Sequence, residues 1–181
     1  GVAVLASLAL GRLIESQLVS HPSGLRLLLA APAPRSGALP ALHVETVVRR
    51  LSRQCDWLLL DLGSSLDEAT SAAIKQCNTI ILVAEPQRIA LLLAQAMLTD
   101  LGALDVMRDR IGLVLVNRAP SAVSTSKTAV EGQIGPVLSV IPPAPELAFQ
   151  SAENGVPFCL MEPGSLVAGQ IRELAKQIAS R

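Results

Sequence analysis

Several polar residues in this sequence directly follow apolar stretches, and their types suit the binding of a metal ion or a phosphate group. Asp61 comes after the apolar residues 57–60 and is followed closely by Gly63, Ser64 and Ser65. A carboxylate in this position can hold a water molecule bound to Mg²⁺, and small residues let the backbone approach a phosphate. The alternative is that Asp61 caps the end of a strand or the next helix. Spacing alone leaves these two roles equally open.

Two further apolar stretches end in residues that suit the binding of a nucleotide base. Asn117 and Arg118 follow residues 111–116, and Pro142 with Pro143 follows a shorter stretch. An Asn amide offers both a donor and an acceptor, which recognition of an adenine edge requires. The alternative for Asn117 is an ordinary turn residue. The two prolines either form one wall of a base pocket or simply end a strand.

The sequence shows no evident phosphate-binding loop, in which glycine and lysine residues contact the phosphate groups. The lysines are Lys75, Lys127 and Lys176. Lys127 with Thr128 superficially resembles the end of such a loop, but Thr125 and Ser126 precede the pair in place of glycines. We therefore expect Lys127 to lie in the first turn of a helix.

The composition narrows the classes of function. The chain has 15 basic and 15 acidic residues and a formal net charge of zero, so we expect no direct nucleic-acid partner. Cys55, Cys77 and Cys159 are far apart, and neither they nor His21 and His43 have ligand-like spacing. These features argue against a disulfide framework and a metal site of the Cys/His type, and they fit a cytoplasmic protein. A third possibility is a small-molecule enzyme, such as a relative of the ligase-like amidotransferases. The sequence shows no Cys–His or Ser–His–Asp arrangement that would support this function.

Short apolar stretches alternate with helical patterns along the chain. This alternation predicts βαβ units and an α/β fold, with a mostly parallel sheet flanked by helices. The predicted strands are residues 25–30, 57–62, 79–84, 111–116 and 137–141. The predicted helices are residues 42–51, 66–76, 89–101, with Gly102 as the cap, 126–134 and 166–179.

The chain is predicted to be one domain over residues 1–181, with a helical lead-in at residues 1–20 and a proline-rich loop at residues 31–40. The apolar start is too short to span a bilayer, so we expect no stable membrane insertion. The last helix carries an apolar face, which we expect to pack on the core rather than on a membrane.

An ordered set of motifs resembles the latter two thirds of the ParA/MinD superfamily of deviant Walker P-loop ATPases. The nearest branches are the pilus-assembly (CpaE/TadZ-like) ATPases and the septum-site-determining MinD-like ATPases. The resemblance covers nearly the whole chain from about residue 21 onward. The motifs are WLLLDLGSSLDE at residues 57–68, TIILVAEP at 79–86, IGLVLVNR at 111–118 and VIPP at 140–143, with further similar stretches at 21–32 and 153–157.

The resemblance implies a role for the residues around Asp61. It matches the Walker B aspartate, which supports Mg²⁺ near the phosphates, and so is the expected metal-binding residue. Gly63, Ser64 and Ser65 match the adjoining switch region.

The resemblance also implies how a base would be held. Asn117, followed by Arg118, matches the Asn that contacts adenine, and Pro142 with Pro143 matches the loop that lines the base. No catalytic residue is expected in this chain. ATP and Mg²⁺ are expected as cofactors only if a phosphate-binding loop is supplied outside it.

The family begins with a strand and a phosphate-binding loop that this sequence does not show. The chain is therefore expected to be incomplete at its N-terminus relative to the family, either as a fragment or as a degenerate relative. Residues 2–10 could replace the first strand, or a second chain could, and we expect a homodimer because an uncovered inner strand would aggregate.

The expected function is that of an ATPase-family positioning or assembly domain of the pilus-assembly, septum-site or partition type. ATP hydrolysis is not expected from this chain. The alternative is a nucleotide-independent dimeric scaffold with a degenerate ParA/MinD fold. The expected partners are proteins of a secretion, pilus or cell-division system, reached in the cytoplasm or at the periphery of the inner membrane.

Overall fold

The computed structural model describes Ile14 and residues 16–29, 39–118 and 125–181 of the chain. The chain divides into two compact units, unit one from Gly1 to Cys77 and unit two from Asn78 to Arg181. The prediction of a single domain therefore stays a prediction. Most of the predicted helical lead-in and of the predicted loop at residues 31–40 lies outside the described residues.

Unit one contains a very short antiparallel pair of strands. β1 is Val19–Ser20 and β2 is Arg26–Leu27, and a turn with Gly24 at φ 87° connects them. The helical lead-in is thus wrong at residues 17–20, which form a turn, an irregular residue and β1. The prediction of a strand over residues 25–30 is wrong in extent, because β1 offers only two residues for pairing.

Two helices provide most of the core of unit one. They are α1, Ala41–Leu51, and α2, Glu68–Gln76, and both confirm predicted helices. Their apolar residues recur at helical spacing, so each helix presents one buried face. Alanines on α2 let the two helices approach closely. The buried residues are Val44, Val47, Val48 and Leu51 on α1 and Ala69, Thr70, Ala72, Ala73 and Ile74 on α2.

Residues 57–62 alternate in burial as a strand does but pair with no strand of the described chain. Leu58, Leu60 and Leu62 pack against the helical core, whereas the side chains between them are exposed. Leu59 is 84% exposed. The sequence is apolar at five of these six positions and gave no sign of the alternation. The predicted strand is wrong because no neighbouring described strand supplies a ladder of hydrogen bonds.

Unit two is built on a three-stranded parallel sheet in the order β3–β4–β5. The strands are β3 (Ile80–Ala84), β4 (Ile111–Val116) and β5 (Val137–Ile141), which confirms three predicted strands and the parallel sheet. In the central strand β4, five of six residues are buried. A strand covered on both faces needs such a continuous apolar sequence.

Helices cover both faces of this sheet. On one face, Leu91 and Ala94 pack against Leu113 and Leu115 of β4. On the other face, Val167 belongs to the cluster around Val114 and Ile141, so the last helix packs on the core as expected. The helices of unit two are α3 (Arg88–Ala103), α4 (Lys127–Gln133), α5 (Pro145–Asn154), α6 (Phe158–Met161) and α7 (Leu166–Ala179), with a 3₁₀ turn at Arg108–Arg110.

Two helices and one helix end differ from the prediction. α5 and α6 were not predicted, although Pro145 at the start of α5 and Gly155 in the left-handed conformation after it are recognised helix signals. Gly102 lies inside α3 and is not its cap. The left-handed residue that follows this helix is Asp105, at φ 61°.

A glycine in β4 permits close packing on the α7 side of the sheet. A Cβ added to Gly112 would overlap Cδ1 of Leu138 and would lie 3.2 Å from Cδ1 of Ile81. The pairing of β4 with β5 shifts its register immediately after Leu113. Gly112 is therefore the position where two neighbouring strands place large side chains over the backbone of the central one.

Candidate functional site

The carboxyl edge of the parallel sheet gathers four of the residues predicted to bind a base. Asn117 and Arg118 follow β4, and Pro142 and Pro143 follow β5. Adjacent parallel strands end at the same edge, which is where open α/β sheets place their ligands. This part of the predicted site is brought together by the topology of the sheet.

Asn117 continues the pairing of its strand beyond the last residue of β4. Its backbone N–H donates to the carbonyl oxygen of Ile141 across 2.9 Å. Asn117 is half-buried and lies beside the point where β5 passes into Pro142. Asn117 therefore lies at the end of the sheet, and the contact of its amide side chain with a ligand stays a prediction.

Arg118 pairs with Glu85, which follows the neighbouring strand β3. Nη1 of Arg118 lies 3.3 Å from Oε1 of Glu85, and the second carboxylate oxygen accepts from Nε2 of Gln87 at 3.1 Å. Glu85 was not predicted as a site residue. Its place directly after an apolar strand, as for Asn117, is the sequence signal that could have identified it.

The two prolines form part of an open depression of about 320 Å³. Ala144 and Leu147 add apolar surface to its lining, and its charged side chains are Glu146 and Glu162. Two carboxylates make this depression unfavourable for a phosphate group. A base or another uncharged, flat group suits it better.

The residues predicted to serve Mg²⁺ and the switch belong to unit one. Asp61, Gly63, Ser64 and Ser65 are all exposed, and Gly63 is left-handed at φ 66°. A carboxylate oxygen is the ligand type that Mg²⁺ prefers, and the exposed backbone beside it is accessible. The donor type thus fits a magnesium ion, and the pairing of these residues with those of unit two stays a prediction.

The proposed capping role of Asp61 falls instead to Asp67. Its Oδ1 accepts from the backbone N–H of Thr70 at 2.8 Å, which satisfies the first turn of α2. The same hydrogen bond lowers the pKa of the Asp67 carboxyl, because it favours the charged form. Asp61 therefore does not cap the helix that follows it.

Lys127 begins α4, as predicted, and does not belong to a glycine-rich loop. Ser126 caps this helix by accepting from the backbone N–H of Ala129 at 3.3 Å. The ammonium group of Lys127 lies 3.7 Å from Oε1 of Glu131, one turn along the same helix. Lys127 therefore has a structural role at the start of α4, and this role explains why Lys127 and Thr128 follow Ser126 in the sequence.

A metal cluster and a membrane-spanning helix are two features that the described residues lack. Within those ranges no group of three or more His, Cys, Asp or Glu side chains is placed to hold a metal ion. Cys55, Cys77 and Cys159 are free thiols. None of the helices in the described ranges is both long enough and apolar enough to cross a bilayer.

No protein-family model and no curated protein sequence matches the chain significantly. Solved structures do match it. A ParA family ATPase from Chlorobium tepidum is 18% identical, with a TM-score of 0.79 over 89% of this chain and 66% of its own. The septum site-determining protein MinD from Pyrococcus horikoshii, solved with Mg-ADP, is 20% identical, with a TM-score of 0.76 over 91% of this chain and 68% of its own. The MinC:MinD cell division complex of Aquifex aeolicus gives 15% identity and a TM-score of 0.72 over 93% of this chain and 68% of the other.

The chain thus spans about two thirds of the length of these structures. Their identities are low, whereas their TM-scores are high over nearly all of this chain. The likeness lies in the arrangement of strands and helices, and it agrees with the parallel sheet of unit two and its helices on both faces. The chain has the P-loop NTPase-like fold of the ParA and MinD ATPases.

Proposed function

We propose that this chain is the base-binding and partner-binding part of a ParA/MinD-type positioning or assembly ATPase. The observation that carries the proposal is the grouping of Asn117, Arg118, Pro142 and Pro143 at the carboxyl edge of the parallel sheet. This edge is the general ligand-binding position of such sheets. A pilus-assembly role is preferred, because the sequence motifs resemble that branch, with septum-site and partition roles as the other members of this proposal.

Each unit carries residues proposed to contact a part of a nucleotide, and the two sets differ in chemistry. Asn117 would offer its amide to the adenine edge, and the prolines would cover one face of the ring. Asp61 would hold Mg²⁺ through a carboxylate oxygen or a bound water, beside the small residues Gly63 and Ser64. The metal would supply charge neutralisation at the phosphates when bound.

The phosphates themselves need a further element. Lys127 is the lysine whose flanking sequence most resembles a phosphate-binding loop. It is the first residue of a helix and pairs with Glu131. Backbone N–H groups and lysines of a glycine-rich loop provide most of the affinity for phosphates. We infer that tight nucleotide binding, and any hydrolysis, requires such a loop from outside this chain.

Isothermal titration calorimetry of the chain with Mg-ATP tests this proposal. We expect a dissociation constant no lower than about 1 mM, because a base pocket and one carboxylate provide no contacts to the phosphates. Addition of a polypeptide that carries a ParA-type strand and phosphate-binding loop should restore measurable affinity, and Asn117→Ala should then weaken it. Micromolar binding by the chain alone would contradict the inference about the loop. No effect of Asn117→Ala in the restored complex would contradict the assignment of the base site.

A nucleotide-independent dimeric scaffold of the same fold is the second candidate. The ion pair between Arg118 and Glu85 favours it, because a guanidinium already paired with a carboxylate is less available to a phosphate. The partners would be proteins of a secretion, pilus or cell-division system, met in the cytoplasm or at the inner membrane. In this case partner binding would be unchanged by Mg-ATP, even with the loop supplied.

A further inference from the structure

A second cavity of unit two lies between the first half of α3 and the two ends of α4. It has a volume of about 330 Å³ and shares no lining residue with the depression beside the two prolines. This volume lies at the lower end of the range for small-molecule sites in proteins. The lining residues are Arg88, Leu91, Leu92, Gln95, Thr125 and Gln133.

Two hydrogen bonds hold the walls of this cavity together. The backbone N–H of Thr125 donates to the carbonyl oxygen of Pro86 across 2.9 Å, which joins the segment before α4 to the segment before α3. Further along α3, Nε2 of Gln95 donates to the carbonyl oxygen of Gln133, the last residue of α4, across 3.3 Å. The cavity is therefore a feature of the tertiary structure and not a chance opening between surface loops.

The inner side of the cavity is apolar. Leu91 is 4% exposed and belongs to the core cluster that contains Leu113 and Val130. Leu92, the next residue of α3, also lines the cavity and is 55% exposed. A ligand that covers Leu92 removes apolar surface from water, which favours binding. The two leucines thus favour a ligand with an apolar part.

Arg88 is the one charged residue among those that line the cavity. Among the described residues no carboxylate forms an ion pair with Arg88, and the first turn of α3 contains no acidic residue. Arg88 is the first residue of this helix, where the helix dipole is positive and a cation is unfavourable. An anionic group in the cavity would therefore provide a counter-ion that the described chain does not.

A carboxylate fits this arrangement better than a phosphate group. A single guanidinium can form two parallel hydrogen bonds with a carboxylate. A phosphate monoester carries nearly two charges at neutral pH, and the other polar lining residues, Gln95, Thr125 and Gln133, are uncharged. The leucines also oppose a doubly charged ligand, because burial of charge beside apolar side chains is costly. One cation beside two leucines is thus complementary to an amphipathic monoanion.

We propose that this cavity binds a small organic monocarboxylate, with its carboxylate on Arg88 and its apolar chain against Leu91 and Leu92. None of these residues is assigned to the base or to Mg²⁺, so the proposal does not rest on the proposed nucleotide function. A ligand of about eight non-hydrogen atoms makes few contacts, so its expected dissociation constant is about 1 mM.

Two-dimensional ¹H–¹⁵N NMR of the purified chain, titrated with hexanoate to about 20 mM at constant pH and ionic strength, tests the proposal at the expected affinity. The amide resonances of residues 88–95, Thr125 and Gln133 should shift and saturate. Hexan-1-ol and hexylammonium have the same chain without the negative charge. Both should bind at least about tenfold more weakly, because they cannot form the charged hydrogen bonds with Arg88.

Two variants test the contacts separately. Arg88→Gln should weaken hexanoate binding by at least about tenfold and remove its advantage over hexan-1-ol, because the cation is lost. Leu92→Asn should weaken the binding of both compounds, since both place the same chain on this side chain. Arg172→Gln is the matched control, because Arg172 is an exposed arginine of α7 outside the cavity, and this variant should bind hexanoate as the wild type does.

Circular dichroism of every variant establishes that each remains folded. The proposal would be overturned by the absence of saturable shifts up to the highest hexanoate concentration, or by shifts confined to residues outside the cavity. Binding that Arg88→Gln leaves unchanged would overturn the assignment of the carboxylate to Arg88. Equal binding of hexanoate and hexan-1-ol by the wild-type chain would overturn the choice of a carboxylate as the ligand.

Discussion

The guanidinium of Arg118 lies 3.3 Å from the carboxylate of Glu85, so an ion pair joins the ends of two neighbouring parallel strands. Arg118 is 76% exposed at its side chain and Glu85 is 32% exposed. Water and salt screen such a pair, so its contribution to the free energy of unfolding is small. The pair nevertheless places a cationic and an anionic group side by side at the edge of the sheet where the base site is proposed.

A double-mutant cycle on this pair should show weak coupling in stability. Arg118→Ala and Glu85→Gln are each expected to change the free energy of unfolding by about 0.5 kcal/mol or less, with a coupling below about 1 kcal/mol. Urea denaturation of the two single variants and the double variant measures these values. A coupling of several kcal/mol would show that the pair is structural and would weaken its assignment to the site.

Gly112→Ala should destabilise unit two. The added Cβ would overlap Leu138 and crowd Ile81, and overpacking of a core costs about 1–3 kcal/mol. Combination with Leu138→Ala should recover part of the loss, because it removes the side chain that is overlapped. Thermal and urea denaturation give both values.

Gly169→Ala is the control for that experiment. Gly169 lies inside α7, and an added Cβ would have no heavy atom within 4 Å. Alanine favours a helix over glycine by about 0.5–1 kcal/mol, so this variant should be more stable than the wild type. Equal effects of the two substitutions would contradict the packing at Gly112.

The sequence pattern was a good guide to the sheet of unit two because local and tertiary signals agree there. β4 is apolar throughout and buried on both faces, which is what a central parallel strand requires. Residues 57–62 show the limit of the same pattern. Burial of their side chains alternates along the segment. Pairing depends on a neighbouring strand, whose presence cannot be predicted from the residues of the segment itself.

The missed features have similar physical reasons. In α5 only Leu147 is buried, so the helix lacks the apolar periodicity from which others were predicted. Asn117 and Pro142 could be placed together from the sequence because both follow strands, and parallel strands share an edge; their role in a site stays a prediction. The partnership of Glu85 with Arg118 could not be predicted, because it depends on which strands are neighbours in space rather than on their order in the chain.

Asp67→Ala should destabilise unit one by about 1 kcal/mol, the usual cost of a lost helix cap. Asp67→Asn should retain most of the stability, because an amide oxygen can still accept from Thr70. The hydrogen bond lowers the pKa of Asp67, so its contribution is complete above the pKa of the unfolded chain, about 3.9, and is lost as the pH falls through the lower folded value. Urea denaturation at pH 7 and near pH 3 should show a smaller difference between wild type and Asp67→Ala at the acidic pH. A difference that grows in acid would contradict the capping hydrogen bond.

Asp61→Ala should leave stability almost unchanged, in contrast to Asp67→Ala in the same unit. Asp61 is exposed and the following helix is capped by Asp67, so we expect a change within about 0.5 kcal/mol in the free energy of unfolding. The effect should appear instead in metal-dependent binding, because a site for Mg²⁺ loses its carboxylate ligand. With a phosphate-binding loop supplied, calorimetry should show that Asp61→Ala weakens Mg-ATP binding and reduces its dependence on magnesium. A loss of stability equal to that of Asp67→Ala would instead assign Asp61 a structural role and remove the support for its place in the site.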